Sequence, residues 1–251
     1  MQVKLTLEYD GTAYSGWQLQ REDDSIQGRL EAALARIFAE PVRVRGAGRT
    51  DAGVHALAQV AAVRLPRAFD PAELKRALNA MLPPDIAVLD SVIVDDDFDP
   101  RRHAIARVYE YRIVNRPGRS AFDYRYAWRI AEPLDLDSLN AAATIFVGEH
   151  DFAAFRSLGS EERSTRRRVY ASVWTCSGES LTYRVEAASF LRHMVRTMVS
   201  AMSEVGRGRA AASWIAELLE KRDRARAPAP APAAGLFLTT VRYPEPAEPG
   251  S

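Results

Sequence analysis

Two periodicities alternate along this chain, and the same order occurs in both halves. "VKLTLEYDG" alternates apolar and polar residues and closes at a Tyr-Asp-Gly turn, which predicts a strand. "SIQGRLEAALARIF" puts Ile26, Leu30, Ala33, Leu34 and Ile37 on one helical face. Strands "VRVRG" and "AQVAAVRL" follow, then the helix "DPAELKRALNAML", with Asp70 as N-cap and Pro71 at its first position, then the strand "IAVLDSVIV". The second half predicts strand "RVYEYRIVN", helix "DLDSLNAAATIFVG", paired strands "RRVYASVWTC" and "SLTYRVEAA", helix "FLRHMVRTMVSAMSEVG", short helix "AASWIAELLE" and strand "GLFLTTVRY". Alternating strands joined by short or helical links favour an antiparallel sheet. The expected fold is therefore α+β, with two ferredoxin-like (RRM-like) halves sharing one mostly antiparallel central sheet and helices packed on one side. The expected divisions are 1–105, 106–245 and a frayed tail at 246–251. "RARAPAPAPAAG" has too few large side chains to pack as a helix and predicts an extended connector.

The 251 residues, 47% of them hydrophobic, suffice for a real core. No apolar run approaches the length of a membrane-spanning helix, and "MQVKLTLEYD" lacks the basic and apolar regions of a signal peptide. These features predict a cytoplasmic protein without a membrane segment. Cys176 is the one cysteine, so neither an internal disulfide nor a cysteine-based zinc site is expected. His55, His103, His150 and His193 show no HExxH spacing, and no metal or other cofactor is expected. Net charge is only +1, yet just three of the 34 basic residues are lysines. Codon composition accounts for most of that bias. The arginine clusters at 101–107, 163–168 and 192–196 matter more, because a guanidinium fork grips phosphate through two parallel hydrogen bonds.

One stretch departs from the strand and helix pattern. "VRGAGRTDAGVHALA", residues 44–58, holds three glycines, two arginines and one aspartate. A dinucleotide loop would need a third glycine where Asp51 stands, and no Gly-Lys-Ser/Thr triplet occurs anywhere in the chain. Two readings of the residues stay open. One is a wide bulge or β-turn in which Asp51 accepts local amide hydrogen bonds. In the other, the glycines make room for a bulky ligand beside Asp51, and Arg49 keeps the carboxylate ionised.

The stretch "GAGRTDAGVHALAQV" resembles the signature of the tRNA pseudouridine synthase A family. "EYDGTAYSGWQLQ", "SIQGRLEAAL", "LPPDIAV", "RVYEYRIVN", "GEHDFAAF", "FLRHMVR" and "GLFLTTVRY" also resemble family segments, in the family's order. The resemblance implies a cofactor-independent isomerisation of uridine to pseudouridine at positions thirty-eight to forty of the tRNA anticodon stem-loop, performed by a homodimer. It implies Asp51 as catalytic carboxylate, Tyr109 as the tyrosine stacked on the target uracil and Arg196 as the basic residue paired with Asp51. Arg49 and Arg101 match positions that contact tRNA.

This chemistry suits the residues. A carboxylate with an ordinary pKa of about 3.9 is ionised at neutral pH and can attack C1′ or remove a proton next to it. A stacked ring contributes about 1–3 kcal/mol to base binding. Arg192 and Arg196, four apart, are expected to share a helix face apart from the stripe Phe190, Met194, Met198 and Met202. Arg163, Arg166, Arg167 and Arg168 are further candidates for gripping the backbone while the uridine is extruded. Tyr111 and Trp17 are expected in the core, and Gln18 could face RNA. His103 stands where the family commonly has a small polar residue, and Arg102 beside Arg101 blurs their alignment. His55 and His193 are expected to bond locally, without a catalytic role. A non-catalytic RNA-binding protein on the same scaffold would keep the arginines but would not need Asp51.

Overall fold

The computed structural model describes residues 1–20, 23–157, 159 and 164–244. Arg163 and the expected tail at 246–251 lie outside them. The fold is α+β, based on a large, mostly antiparallel sheet. It divides into two units, Met1–Arg107 with Leu238–Ser251, and Val108–Phe237.

The first unit has the order β1 (Gln2–Tyr9), α1 (Ile26–Phe38), β2 (Val44–Gly46), β3 (His55–Arg64), α2 (Pro71–Met81) and β4 (Ile86–Val94). Strand β1 lies between β3 and β4, antiparallel to both, and β2 pairs antiparallel with β3. This βαββαβ arrangement is ferredoxin-like. The alternation of β1 is realised in its burial: Val3, Leu5, Leu7 and Tyr9 are buried, whereas Glu8 is exposed. Each such aliphatic side chain contributes about 1.5–3 kcal/mol on leaving water. Helix α2 starts as expected, with the Asp70 carboxylate accepting from Glu73 N at 2.9 Å and Pro71 in the first turn. In α1 the buried face ends on Phe38, while Ile37 is only half-buried.

The second unit holds most of β5 (Ala106–Asn115), then β6 (Trp128–Ile130), α3 (Leu136–Thr144), β7 (Gly148–Asp151), β8 (Arg166–Ser177), β9 (Ser180–Ala187), α4 (Met194–Gly206) and α5 (Ser213–Lys221). Its strands run in the order β5-β9-β8-β7, with β6 parallel to β5. Strand β10 (Leu236–Arg242) ends the described fold and lies mostly in the first unit.

Two expectations need correction. Helix α4 begins at Met194, because His193 sits at φ 64°, in the left-handed region that an L-residue cannot carry into a helix. Phe190 and Arg192 therefore precede it, and Arg192 shares no helix face with Arg196. The rest of the stripe holds: Met194, Met198 and Met202 are fully buried. Helix α3 stops at Thr144, where Phe146 N and Val147 N bond three residues back and Gly148 at φ 110° leads into β7. The Ala/Pro run forms no α-helix, as expected of an extended connector, and it packs against the fold. Ala227 and Ala231 are buried, and short 3₁₀ turns bracket the run at Arg224–Arg226 and Ala233–Gly235.

Candidate active site

Asp51 lies half-buried in the loop between β2 and β3, in the first unit. Neither strand reaches it, so other groups must fix the backbone. Ala47 N donates to Val60 O at 2.8 Å, and the carbonyls of Ala47 and Gly48 accept from Arg107 Nη2 and Gln59 Nε2, each at 2.9 Å. Thr50 O accepts from Trp17 N at 3.1 Å, Gly53 N donates to Tyr14 O at 3.2 Å, and Val54 N closes a turn onto Asp51 O at 3.1 Å. Asp51 is thus bracketed on both sides by fixed main chain.

The side chain next to it is held as firmly. Tyr9 Oη and Thr50 Oγ1 lie 2.8 Å apart, both buried. Gln59 Nε2 also donates to Tyr9 Oη, at 3.4 Å. Burial pushes the Tyr9 hydroxyl up to about 12 against the opposing bonds to Thr50 and Gln59. It stays a donor at neutral pH.

The segment between β1 and α1 supplies the loop's other wall. Gly16 has φ 96°, and a Cβ there would stand 2.5 Å from Thr50 O and 3.0 Å from Asp51 C. Trp17 is buried against Gly46, where a Cβ would fall 2.6 Å from the indole. Gln27 ties this wall to β2: Nε2 donates to Val44 O at 3.1 Å, and Oε1 accepts from Leu19 N at 3.1 Å and Gln18 Nε2 at 3.0 Å. Gln18 is half-buried within this network. The three glycines of 44–58 therefore do not share one role. Gly46 accommodates Trp17, Gly53 makes a turn at φ 74°, and at Gly48 an added Cβ would have nothing within 4 Å.

His55 is buried, with Nδ1 at 3.1 Å from both Gly11 N and Asp10 Oδ1. The Gly11 proton is fixed on its nitrogen, so in the neutral ring Nδ1 accepts it. That nitrogen would donate to Asp10 instead only with a proton on Nδ1. These partners sit more than forty residues away in sequence, which is why the motif gave no sign of them.

Arg49 is exposed, two residues before Asp51. Arg101, Arg102 and His103 are exposed on a loop organised by Asp99, whose Oδ1 accepts from Arg101 N and Arg102 N at 2.9 Å each. His103 packs its ring edge-on to Phe98, as a surface residue.

In the second unit, Tyr109 is buried on β5 and meets Phe190 edge to face, with centroids 5.1 Å apart. Tyr111 is a core residue as expected, and its hydroxyl donates to Pro232 O at 2.8 Å. Burial pushes that hydroxyl far up, with the Arg196 guanidinium opposing the shift. Arg196 is half-buried on α4, and its Nε donates to Ala231 O at 2.6 Å while Ala231 N returns a bond to Arg196 O at 3.1 Å. The Ala/Pro run thus orients the very arginine singled out from sequence. Arg166 and Arg168 are exposed on β8, where Arg166 Nε meets Glu149 Oε1 at 3.2 Å.

The bonds described here fix the main chain on both sides of Asp51, on an α+β scaffold with exposed arginines, an arrangement that suits an enzyme's need for a rigidly mounted acid. Residues 6–101 and 142–244 match the family described as tRNA pseudouridine synthase. A tRNA pseudouridine synthase A from Myxococcus xanthus is 44% identical over 242 residues, spanning 96% of this chain and 91% of the relative. Its counterpart in Rhodopseudomonas palustris strain HaA2 is 44% identical over 241 residues, spanning 96% and 98%. That of Agrobacterium fabrum is 40% identical over 249 residues, spanning 98% and 94%. The chain belongs to the tRNA pseudouridine synthase A family.

Proposed function

We propose that this protein converts uridine to pseudouridine at positions thirty-eight to forty of the tRNA anticodon stem-loop, with Asp51 as its catalytic carboxylate. Family membership supports the tRNA uridine isomerisation, and the pinned Asp51 loop is the observation that supports the residue. The reaction is an isomerisation. The N1–C1′ bond breaks, the uracil turns, C5 bonds to C1′, C5 loses its proton and N1 gains one. An ionised carboxylate serves this chemistry as nucleophile or as base, and both routes require it within reach of the same ribose.

Tyr109 is the ring on which the target uracil stacks, and Arg196 is the cation paired with Asp51. Arg49, Arg101, Arg166 and Arg168 grip the RNA backbone while the uridine leaves its stem. The protein works as a homodimer in the cytoplasm. Incubating unmodified tRNA with the protein and mapping pseudouridine chemically tests the reading. Product confined to the three stem-loop positions is expected, and none there overturns it.

Arg196→Ala is expected to lower the single-turnover rate by about 100-fold or more, the scale for lost electrostatic stabilisation, with tRNA affinity changed far less. Filter binding and rapid-quench assays on the same preparation separate the two. Equal losses in both would remove Arg196 from the chemistry.

A further inference from the structure

The side chain of Arg107 has no assigned part in the reaction, yet it is buried directly behind the Asp51 loop, with 8% of its surface exposed. A buried guanidinium is costly unless its donors are satisfied, and its flat fork can serve several acceptors in one plane. Here three of them are main-chain carbonyls from two different loops. Nη2 donates to Ala47 O at 2.9 Å and to Arg101 O at 2.7 Å, and Nη1 donates to Ala104 O at 3.1 Å. Ala47 opens the loop that carries Asp51. Arg101 and Ala104 belong to the loop that presents Arg101 to solvent.

The second loop is otherwise fastened to itself, to β10, and to β1 and β3, where Gln2 donates to Phe98 O and Arg64 to Asp96 O. Asp99 caps it, Tyr243 Oη donates to Pro100 O at 2.7 Å, and Ile105 N donates to Arg242 O at 2.9 Å. Arg45 Nη1 adds only a 3.9 Å approach to Asp99, from an exposed side chain. Arg107 therefore joins the two loops through short bonds from one rigid group. A phosphate held by Arg101 and a carboxylate on Asp51 have to keep a fixed spacing, because RNA gripped in the wrong register would bind and not react.

We propose that Arg107 is a positioning residue that sets the spacing between the Asp51 loop and the Arg101 loop. This rests on Asp51 being the catalytic carboxylate. Lysine keeps the charge at this position but presents a single ammonium in place of the fork, and glutamine keeps two donors without the charge.

Arg107→Lys and Arg107→Gln should both lower the single-turnover rate per folded molecule by about 100-fold at saturating tRNA, the cost of roughly 1 Å of misplacement. The tRNA dissociation constant should move by no more than about threefold, because the exposed arginines that meet phosphate remain. A merely structural role would lower the melting temperature and leave the rate per folded molecule unchanged. Should the lysine variant fail to fold, the glutamine variant reads the same quantity.

A wild-type rate in either folded variant overturns the proposal, as does a loss that lies wholly in binding. Asp51→Ala is assayed alongside. If it stays active, the underlying site reading fails. If it is inert while the Arg107 variants react normally, the positioning role alone fails.

Discussion

Asp51→Ala is expected to abolish pseudouridine formation, with a loss of at least about 10⁴-fold, the scale seen when a catalytic side chain is deleted from its unit. The variant should still fold and bind tRNA. The bonds described at 47–54 use main-chain atoms and the side chains of Tyr9, Thr50, Gln59 and Arg107, all of which it keeps. Its melting temperature should therefore stay within a few degrees of wild type, and its binding should weaken with salt along the same slope. Asp51→Asn, which preserves volume and some hydrogen bonding, should be as inert, because neither a nucleophile nor a base survives in an amide. Chemical mapping of pseudouridine on unmodified tRNA reads the result. Turnover within about tenfold of wild type would exclude Asp51 from bond breaking.

Sequence carried the local features and missed the distant ones. The α2 start was legible because Asp70 and Pro71 act within one turn, and the β1 core because alternation is a property of neighbours. Helix α4 was read too long because "FLRHMVR" continues its apolar spacing, whereas the His193 backbone leaves the helical region without leaving a compositional trace. Strands β6 and β7, of three and four residues, are too short to display a period. In the Asp51 loop the motif pointed at the carboxylate and at nothing that holds it. Tyr9, Gln59 and Arg107 meet that loop across 41, 11 and 60 residues of sequence respectively. Nothing in a single chain reveals such pairings, and a buried glutamine or arginine reads locally as an ordinary strand residue. The glycines were legible only in part. Of the two open readings, clearance for a substrate does not describe Gly46 and Gly53, which serve the protein's own packing and turn geometry, whereas Gly48 has open space beside it.

Gly16→Ala should be a damaging single-methyl substitution at this site. The residue sits at φ 96°, where an L side chain costs about 1–2 kcal/mol, and its Cβ would meet Thr50 O at 2.5 Å, Asp51 C at 3.0 Å and Ala52 N at 3.1 Å. All three atoms are main chain, so no rotamer change relieves the contact. Overpacking of this kind costs about 1–3 kcal/mol, and here the element that must yield is the one that carries the carboxylate. The expected variant is folded but less stable, with a lower denaturant midpoint at an unchanged m-value and a single-turnover rate down by about 100-fold, while tRNA affinity changes little. Gly48→Ala is the control, since an added Cβ there meets nothing within 4 Å and stability should be unaffected. If it nevertheless weakens tRNA binding, the open space beside Gly48 is where substrate lies. Wild-type turnover by Gly16→Ala would mean that the wall between β1 and α1 does not set the position of Asp51.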